Sequence, residues 1–179
     1  MQNLNSKLSL KVDIPKCKIE KSQSLSVSIS DCTHIIDNIY ISGFTLSLDY
    51  SFLTSNKFTH IINCAGGSQI FYPLYFKEFK YLKIDLRDDG SINILDAVKK
   101  LIKFLRNINN ENSKILIHCS KGISRAPALV CSYLMWKLNM DFQTAVDFVK
   151  EKRKCVDINL GFMFQLEDLN LHKDILRAI

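Results

Sequence analysis

A cysteine and an arginine, Cys119 and Arg125, stand close enough along this chain to act on one reactant. Five residues separate them, and Gly122 is the third of these. An apolar run over residues 115–117 leads into the cysteine, and a longer apolar run over residues 128–136 follows the arginine. The first run predicts a buried strand and the second a buried helix, so the cysteine lies on a tight turn between them.

The turn over residues 120–125 can wrap into a ring whose backbone N–H groups point inward. An anion inside that ring meets these donors and the positive end of the following helix. Gly122 permits the close backbone approach, and the planar guanidinium of Arg125 matches two oxygens of a phosphate group. The same field favours the thiolate form of Cys119, which is then placed for in-line attack on phosphorus. The sequence therefore predicts a phosphate-binding loop made of Ser120, Lys121, Gly122, Ile123, Ser124 and Arg125.

The run His118-Cys119, five further residues and Arg125 resembles the signature of the protein tyrosine phosphatase superfamily. Within it, the chain resembles the dual-specificity protein phosphatases, and the resemblance covers roughly residues 32–172. It implies a protein-tyrosine-phosphatase-like fold and hydrolysis through a cysteinyl-phosphate intermediate, with no metal or cofactor. The alternative is a core cysteine beside an unrelated surface arginine, which leaves the strand, glycine and helix around them unexplained.

A thiolate expels an alkoxide or phenolate slowly unless a carboxylic acid opposite it donates a proton to the leaving oxygen. Asp85, Asp88 and Asp89 are the candidates; Asp85 is expected to lie within the predicted strand, whereas Asp88 and Asp89 lie on the loop that follows it. The resemblance to dual-specificity phosphatases favours Asp88, since its register relative to Tyr81, Ile84 and Asn93 matches that of the family's acid. Asp89 stays as the alternative acid, and in a third interpretation both aspartates only form a turn.

The resemblance also implies roles for three further side chains. His118 would order the loop and stabilise the thiolate, and Ser124 would donate a hydrogen bond to the thiolate as it departs. Cys64 ends a strand that neighbours the strand of Cys119 in this fold, and some relatives form a reversible disulfide between these positions. Cys64 is therefore expected to be a redox partner of Cys119; the alternative is a small buried apolar residue.

Apolar periodicity along the chain predicts strands that alternate with helices. The predicted strands lie at residues 39–41, 58–65, 81–86 and 115–117. Helices are predicted at residues 45–57, 68–80, 128–136 and 142–152, the last with Asp141 as its N-cap. Two further helices are predicted to begin after Asn93 and after Asn159. This order implies an α/β fold with a central, mostly parallel twisted sheet and helices on both faces.

A length of 179 residues favours a single domain with its own core. Residues 1–30 are rich in serine and lysine and poor in long apolar side chains, which predicts a basic, flexible arm before a catalytic domain at 31–179. The six cysteines lack the paired spacing of zinc sites, and no apolar run is long enough for a membrane span. The expected compartment is the cytosol or the nucleus.

The leading hypothesis is a dual-specificity phosphatase that acts on phosphotyrosine and on phosphoserine or phosphothreonine in proteins. Lys121 raises an alternative, since basic phosphate loops also occur in phosphoinositide and RNA phosphatases of this fold. A rhodanese-type or arsenate-reductase-like enzyme is disfavoured because it needs no acid on the preceding loop. A non-catalytic phospho-binding module would usually lack the cysteine, the arginine or the acid. The net charge of +6 suits anionic partners or simple solubility, and the sequence predicts neither nucleic-acid binding nor an oligomeric state.

Overall fold

The computed structural model describes residues 32–65, 77–108 and 112–179. The predicted arm over residues 1–30 and most of the predicted helix over residues 68–80 lie outside these ranges. Within the described ranges, every helix is too short or too polar to cross a membrane.

The described residues form one five-stranded sheet. Its strands are β1 (Thr33–Ile36), β2 (Ile39–Ser42), β3 (His60–Asn63), β4 (Lys80–Lys83) and β5 (Ile115–His118). They lie in the spatial order β1-β2-β5-β3-β4; β1 and β2 are antiparallel and the other pairs are parallel. The carboxyl ends of β2, β5 and β3 therefore meet at one edge, where α/β folds place their sites.

Helices flank this sheet on both faces, as predicted. In the described residues they are α1 (Phe44–Ser47), α2 (Tyr50–Ser55), α3 (Ile94–Arg106), α4 (Arg125–Leu138), α5 (Phe142–Lys152), α6 (Leu160–Leu171) and α7 (Lys173–Arg177). The side chains of Asn93, Asp141 and Asn159 accept backbone N–H groups at the starts of α3, α5 and α6. The single helix predicted over 45–57 is wrong, because Asp49 starts a second short helix by accepting the N–H of Phe52 at 2.9 Å.

Alternate side chains of the central strand β5 enter two separate cores. Ile115 and Ile117 pack into the larger core, which α3 and α4 also form. Leu116 points to the opposite face and packs with Leu53 of α2 in the smaller core. The residues of α4 from Arg125 to Met135 are all buried, because this helix is enclosed by the sheet and by its neighbouring helices. The long apolar run that follows the predicted phosphate loop is thus a central core helix.

Strand β4 ends three residues before its predicted limit at residue 86. Its partner β3 ends at Asn63, whose carbonyl accepts a last bond from the N–H of Ile84 at 2.8 Å. The chain then leaves the sheet, and the carbonyl of Leu86 accepts a bond from the side chain of Arg125 at 3.3 Å. This early departure carries the following aspartates toward the carboxyl end of β5.

Candidate active site

Five consecutive carbonyl groups, those of residues 120 to 124, are held by donors outside the loop between β5 and α4. The backbone N–H groups of Phe44, Asp157 and Ala128 bind the carbonyls of residues 120, 123 and 124, at 3.2, 3.0 and 2.9 Å. The guanidinium of Arg153 binds the other two, that of residue 122 at 2.8 Å and that of residue 121 at 3.4 Å. With its carbonyl oxygens outside, the loop directs its N–H groups inward, which is the arrangement of an anion site.

Gly122 fits the inner turn of this loop, where φ is 68°. A Cβ atom at this position would lie 2.6 Å from the carbonyl oxygen of Ser42, so a larger residue would displace the backbone. The N–H of Gly122 donates to the sulfur of Cys119, at an N···Sγ distance of 3.2 Å. Cys119 follows β5 directly and is 1% exposed. The sulfur therefore lies at the base of the loop, beneath the place where an anion would bind.

The loop forms the floor of a cleft with a volume of about 640 Å³. Lys121 is an exposed side chain of this cleft. Ile123 of the loop is one wall residue, and the others are four residues that the sequence did not assign to the site: Asp157, Ile158, Asn159 and Leu160. The cleft is thus cationic at the loop, and its wall toward α6 combines the apolar side chains of Ile123 and Leu160 with the polar side chains of Asp157 and Asn159.

Three contacts hold the guanidinium of Arg125 across the loop. Its Nη2 donates to the hydroxyl of Ser120 at 2.8 Å, and its Nη1 donates to the carbonyl of Leu86 at 3.3 Å. Its Nε lies 3.4 Å from the Asp88 carboxylate, an ion pair without hydrogen-bond geometry. The side chain is 10% exposed, so its charge acts with little screening by solvent. Arg125 is positioned to bind equatorial oxygens of a phosphate held in the loop.

The structure brings Asp88 to the phosphate loop and turns Asp89 away from it. One oxygen of Asp88 accepts bonds from the hydroxyl of Ser124 at 2.5 Å and from the amide of Asn159 at 2.7 Å. Asp89 instead accepts bonds from the hydroxyl and the N–H of Ser91, at 2.6 and 3.0 Å, and these bonds lower the pKa of its carboxyl. Of the two aspartates that the sequence left open, only Asp88 faces Arg125.

Ser124 makes a different contact from the one that the sequence analysis expected. Its hydroxyl donates to Asp88, whereas the sulfur of Cys119 accepts the N–H of Gly122. A hydroxyl has a single proton and cannot donate to the carboxylate and the thiolate at once. Ser124 can therefore donate to the thiolate only after its hydrogen bond to Asp88 has broken.

Asn159 is a site residue that the sequence analysis identified only as the start of a helix. Its backbone N–H donates to the hydroxyl of Ser124 at 3.2 Å, while its side-chain amide binds Asp88. Its side-chain oxygen caps α6 by accepting the N–H of Phe162 at 2.9 Å. One asparagine thus joins the acid loop, the phosphate loop and α6. Its N-cap signal gave no sign of the other two contacts.

Arg153 is the second site residue that the sequence analysis missed. It is 0% exposed, and besides its two bonds to the loop its Nη1 donates to the hydroxyl of Thr33 at 2.8 Å. It lies among Lys150, Lys152 and Lys154, so by local pattern it is one more surface cation at a helix end. Its burial depends on the approach of β1 and the phosphate loop, which no local pattern reports.

His118 is fully buried at the end of β5, and neither ring nitrogen has a hydrogen-bond partner among the described residues. Burial lowers its pKa to about 4, although the backbone of Cys119 opposes this shift. The imidazole is therefore neutral at neutral pH. Any support that it gives to the thiolate comes from its packing and its dipole and not from a positive charge.

Cys64 lies beside Cys119 at the ends of adjacent parallel strands. Asn63 and His118 are paired across β3 and β5, and the N–H of Cys64 donates to the His118 carbonyl at 2.7 Å. Neighbouring strands are about 4.8 Å apart, within the range of Cα separations that a disulfide can span. Burial, and secondly the neighbouring Cys119, raise the pKa of Cys64 well above its usual value. Both thiols are free in this structure.

Replacement of Arg153 by methionine should weaken anion binding by the loop. Two carbonyls would lose charged donors, each worth about 1.5–3 kcal/mol, so the free energy of unfolding should also fall. Urea unfolding and calorimetric titration with inorganic phosphate measure the two effects. Lys154→Met, at the exposed neighbour, is the matched control and should change neither. Equal phosphate affinity in wild type and Arg153→Met would contradict the anchoring role.

The burial of His118 should make stability depend on pH. Its folded pKa of about 4 lies below the usual 6.5, so between these values the unfolded chain binds a proton that the folded chain does not. Its contribution is therefore complete above pH 6.5 and decreases as the pH falls toward 4, by about 3 kcal/mol in total. Urea unfolding of wild type and His118→Leu between pH 4 and 7 tests this, since the variant should show a flatter dependence. Parallel curves would show that His118 is not responsible.

Mild peroxide treatment should link Cys64 to Cys119. Peroxide converts the Cys119 thiolate to a sulfenic acid; attack by the Cys64 sulfur then forms the disulfide and releases water. Because the pKa of Cys64 is raised, linkage should become faster between pH 7 and 9 as its thiolate fraction grows. Peptide mapping should find the linked peptide in wild type and in Cys131→Ser, where another buried cysteine is removed. Its absence from both would exclude the pair.

Comparison with known proteins agrees with this geometry. The family model described as "Dual specificity phosphatase, catalytic domain" matches residues 39–171. Protein-tyrosine-phosphatase MKP1 of Arabidopsis thaliana is 33% identical over 149 residues, which is 83% of this chain and 19% of that protein. This chain therefore spans about a fifth of the length of that relative.

Two further similarities cover most of both proteins. Dual specificity protein phosphatase 22 of Mus musculus is 31% identical over 144 residues, which is 80% of this chain and 76% of that protein. The crystal structure of the human tyrosine phosphatase-like serine/threonine/tyrosine-interacting protein aligns with a TM-score of 0.74 and 25% identity, over 80% of this chain and 98% of that one. The order of strands, the phosphate loop and these matches lead to one assignment: the chain belongs to the dual-specificity phosphatase family.

Proposed function

We propose that this chain hydrolyses phosphate monoesters of phosphotyrosine and of phosphoserine or phosphothreonine in proteins, through a cysteinyl-phosphate intermediate. The observation that carries the proposal is the outward anchoring of the loop carbonyls, together with the N–H of Gly122 that donates to the Cys119 sulfur. Arg125 and Asp88 lie in the same cleft. A nucleophile, a cation for the phosphate oxygens and an acid in one cleft are the parts that phosphoryl transfer to cysteine requires.

In the first step the thiolate of Cys119 attacks phosphorus, and the bond from phosphorus to the substrate oxygen breaks. The loop N–H groups and Arg125 stabilise the charge on the equatorial oxygens. Asp88, which has taken up a proton from solvent, donates that proton to the leaving oxygen, so the product departs as a neutral hydroxyl. An incoming phosphate competes with Asp88 for Arg125, and this competition releases the carboxyl group to face the leaving oxygen.

In the second step water attacks the phosphorus of the cysteinyl-phosphate, and the sulfur departs as a thiolate. The carboxylate of Asp88 takes a proton from that water and becomes neutral. A neutral carboxyl group is a weaker acceptor than a carboxylate, so the hydrogen bond from the Ser124 hydroxyl to Asp88, 2.5 Å between the two oxygens in this structure, can break. Ser124 is then free to donate to the departing thiolate, as the sequence analysis expected.

A non-catalytic phospho-binding module is the second candidate. It is supported by the similarity in fold to the human tyrosine phosphatase-like serine/threonine/tyrosine-interacting protein. The presence of Cys119, Arg125 and Asp88 in one cleft favours catalysis instead.

Turnover of para-nitrophenyl phosphate should require Cys119, so Cys119→Ser should be inactive. Asp88→Asn should lose about 10²–10⁴-fold in kcat with alkyl or aryl phosphates whose leaving group is poor, and less with para-nitrophenyl phosphate, because a poor leaving group depends more on the acid. Asp89→Asn is the matched control and should retain activity, since its carboxylate binds Ser91. Phosphopeptide binding without turnover by the wild-type chain would support the binding module and contradict the enzyme.

A further inference from the structure

Two large apolar side chains lie exposed on α6 beside the candidate active site. Leu160 is 73% exposed and Phe164 is 67% exposed. They are four residues apart on one helix, so they lie one turn from each other on the same face, about 6 Å apart along the axis. We call this pair the α6 shelf.

The α6 shelf is continuous with the catalytic cleft. Leu160 is a wall residue of the cleft, and it directly follows Asn159, whose side chain binds Asp88. Ile123 and Ile158 line the same wall closer to the phosphate loop. Ile123 and Leu160 therefore place apolar side chains on the cleft wall, and Phe164 continues outward along α6, so a molecule with its phosphate in the loop reaches the shelf.

The charges around the α6 shelf disfavour an anionic surface as its occupant. Glu167 and Asp168 are exposed on α6 just beyond Phe164, and the helix has no basic residue. Asp157 adds a further carboxylate at the cleft wall. An anionic bilayer or an RNA backbone would be repelled by these carboxylates, whereas an apolar side chain of a peptide would not.

We propose that the α6 shelf binds an apolar side chain of a phosphoprotein substrate, close in sequence to the phosphorylated residue. An extended peptide rises about 3.3 Å per residue, so a shelf that starts at the cleft wall receives a side chain about one to three residues away. Partial burial of one large apolar side chain corresponds to about a tenfold gain in kcat/KM. This proposal rests on the proposed function and specifies its substrate class.

The test compares phosphopeptides that differ only in having leucine or serine at each of the three positions on either side of the phosphorylated residue. For the full chain, leucine at one or more of these positions should raise kcat/KM about tenfold over serine. In Phe164→Ser that ratio should fall toward one. Leu171→Ser removes another exposed leucine of α6, 74% exposed and two turns beyond Phe164, and should keep the wild-type ratio. Because each ratio compares two peptides on one variant, a general loss of activity cancels.

A wild-type ratio near one at every position, or an unchanged ratio in Phe164→Ser, would overturn the proposal. Vesicles that contain phosphoinositide form a further arm: if Phe164→Ser loses activity on vesicles and keeps the peptide ratio, the shelf meets lipid and the proposal is wrong. Para-nitrophenyl phosphate separates this failure from that of the proposed function. If the chain hydrolyses para-nitrophenyl phosphate but shows no preference among the peptides, only the role of the shelf is wrong. If it hydrolyses neither para-nitrophenyl phosphate nor the phosphopeptides, the proposed function and the role of the shelf are both wrong.

Discussion

The structure of the active site depends on the direction of five carbonyl groups. A buried carbonyl must find a donor, and a carbonyl that faced the cleft would repel a phosphate. Here the donors come from α1, from the first turn of α4, from Arg153 at the end of α5 and from Asp157 in the chain before α6. The phosphate loop is short, but the conformation that lets it bind an anion is imposed by most of the fold around it.

The carboxylate of Asp88 is the second centre of the site, and it competes for the same groups as the substrate. It accepts hydrogen bonds from the hydroxyl of Ser124 and the side-chain amide of Asn159, and it pairs with the charge of Arg125. A substrate phosphate must take over Arg125, so binding itself frees the acid. The arrangement couples occupation of the loop to the position of the acid.

The buried polar side chains around the site avoid the cost of burying a charge in different ways. Arg153 binds three oxygen acceptors and keeps its charge inside the protein. His118 has no such partners among the described residues, and its pKa is therefore lowered until the ring is neutral. Cys64 is likewise held as a thiol by its burial. The nucleophile Cys119 thus lies among groups that carry no negative charge on the core side of the loop.

The sequence by itself determined the phosphate loop, the strand and helix around it, and a mostly parallel sheet with helices on both faces. These features are written in contiguous residues and in apolar periodicity, which act over a few positions. The tertiary structure decided that Asp88 and not Asp89 reaches the loop, that Ser124 donates to Asp88, and that Arg153 and Asn159 belong to the site. These contacts join residues about 30 or more positions apart. Each depends on where β4 ends and how α5 and α6 pack, and no local pattern contains that information.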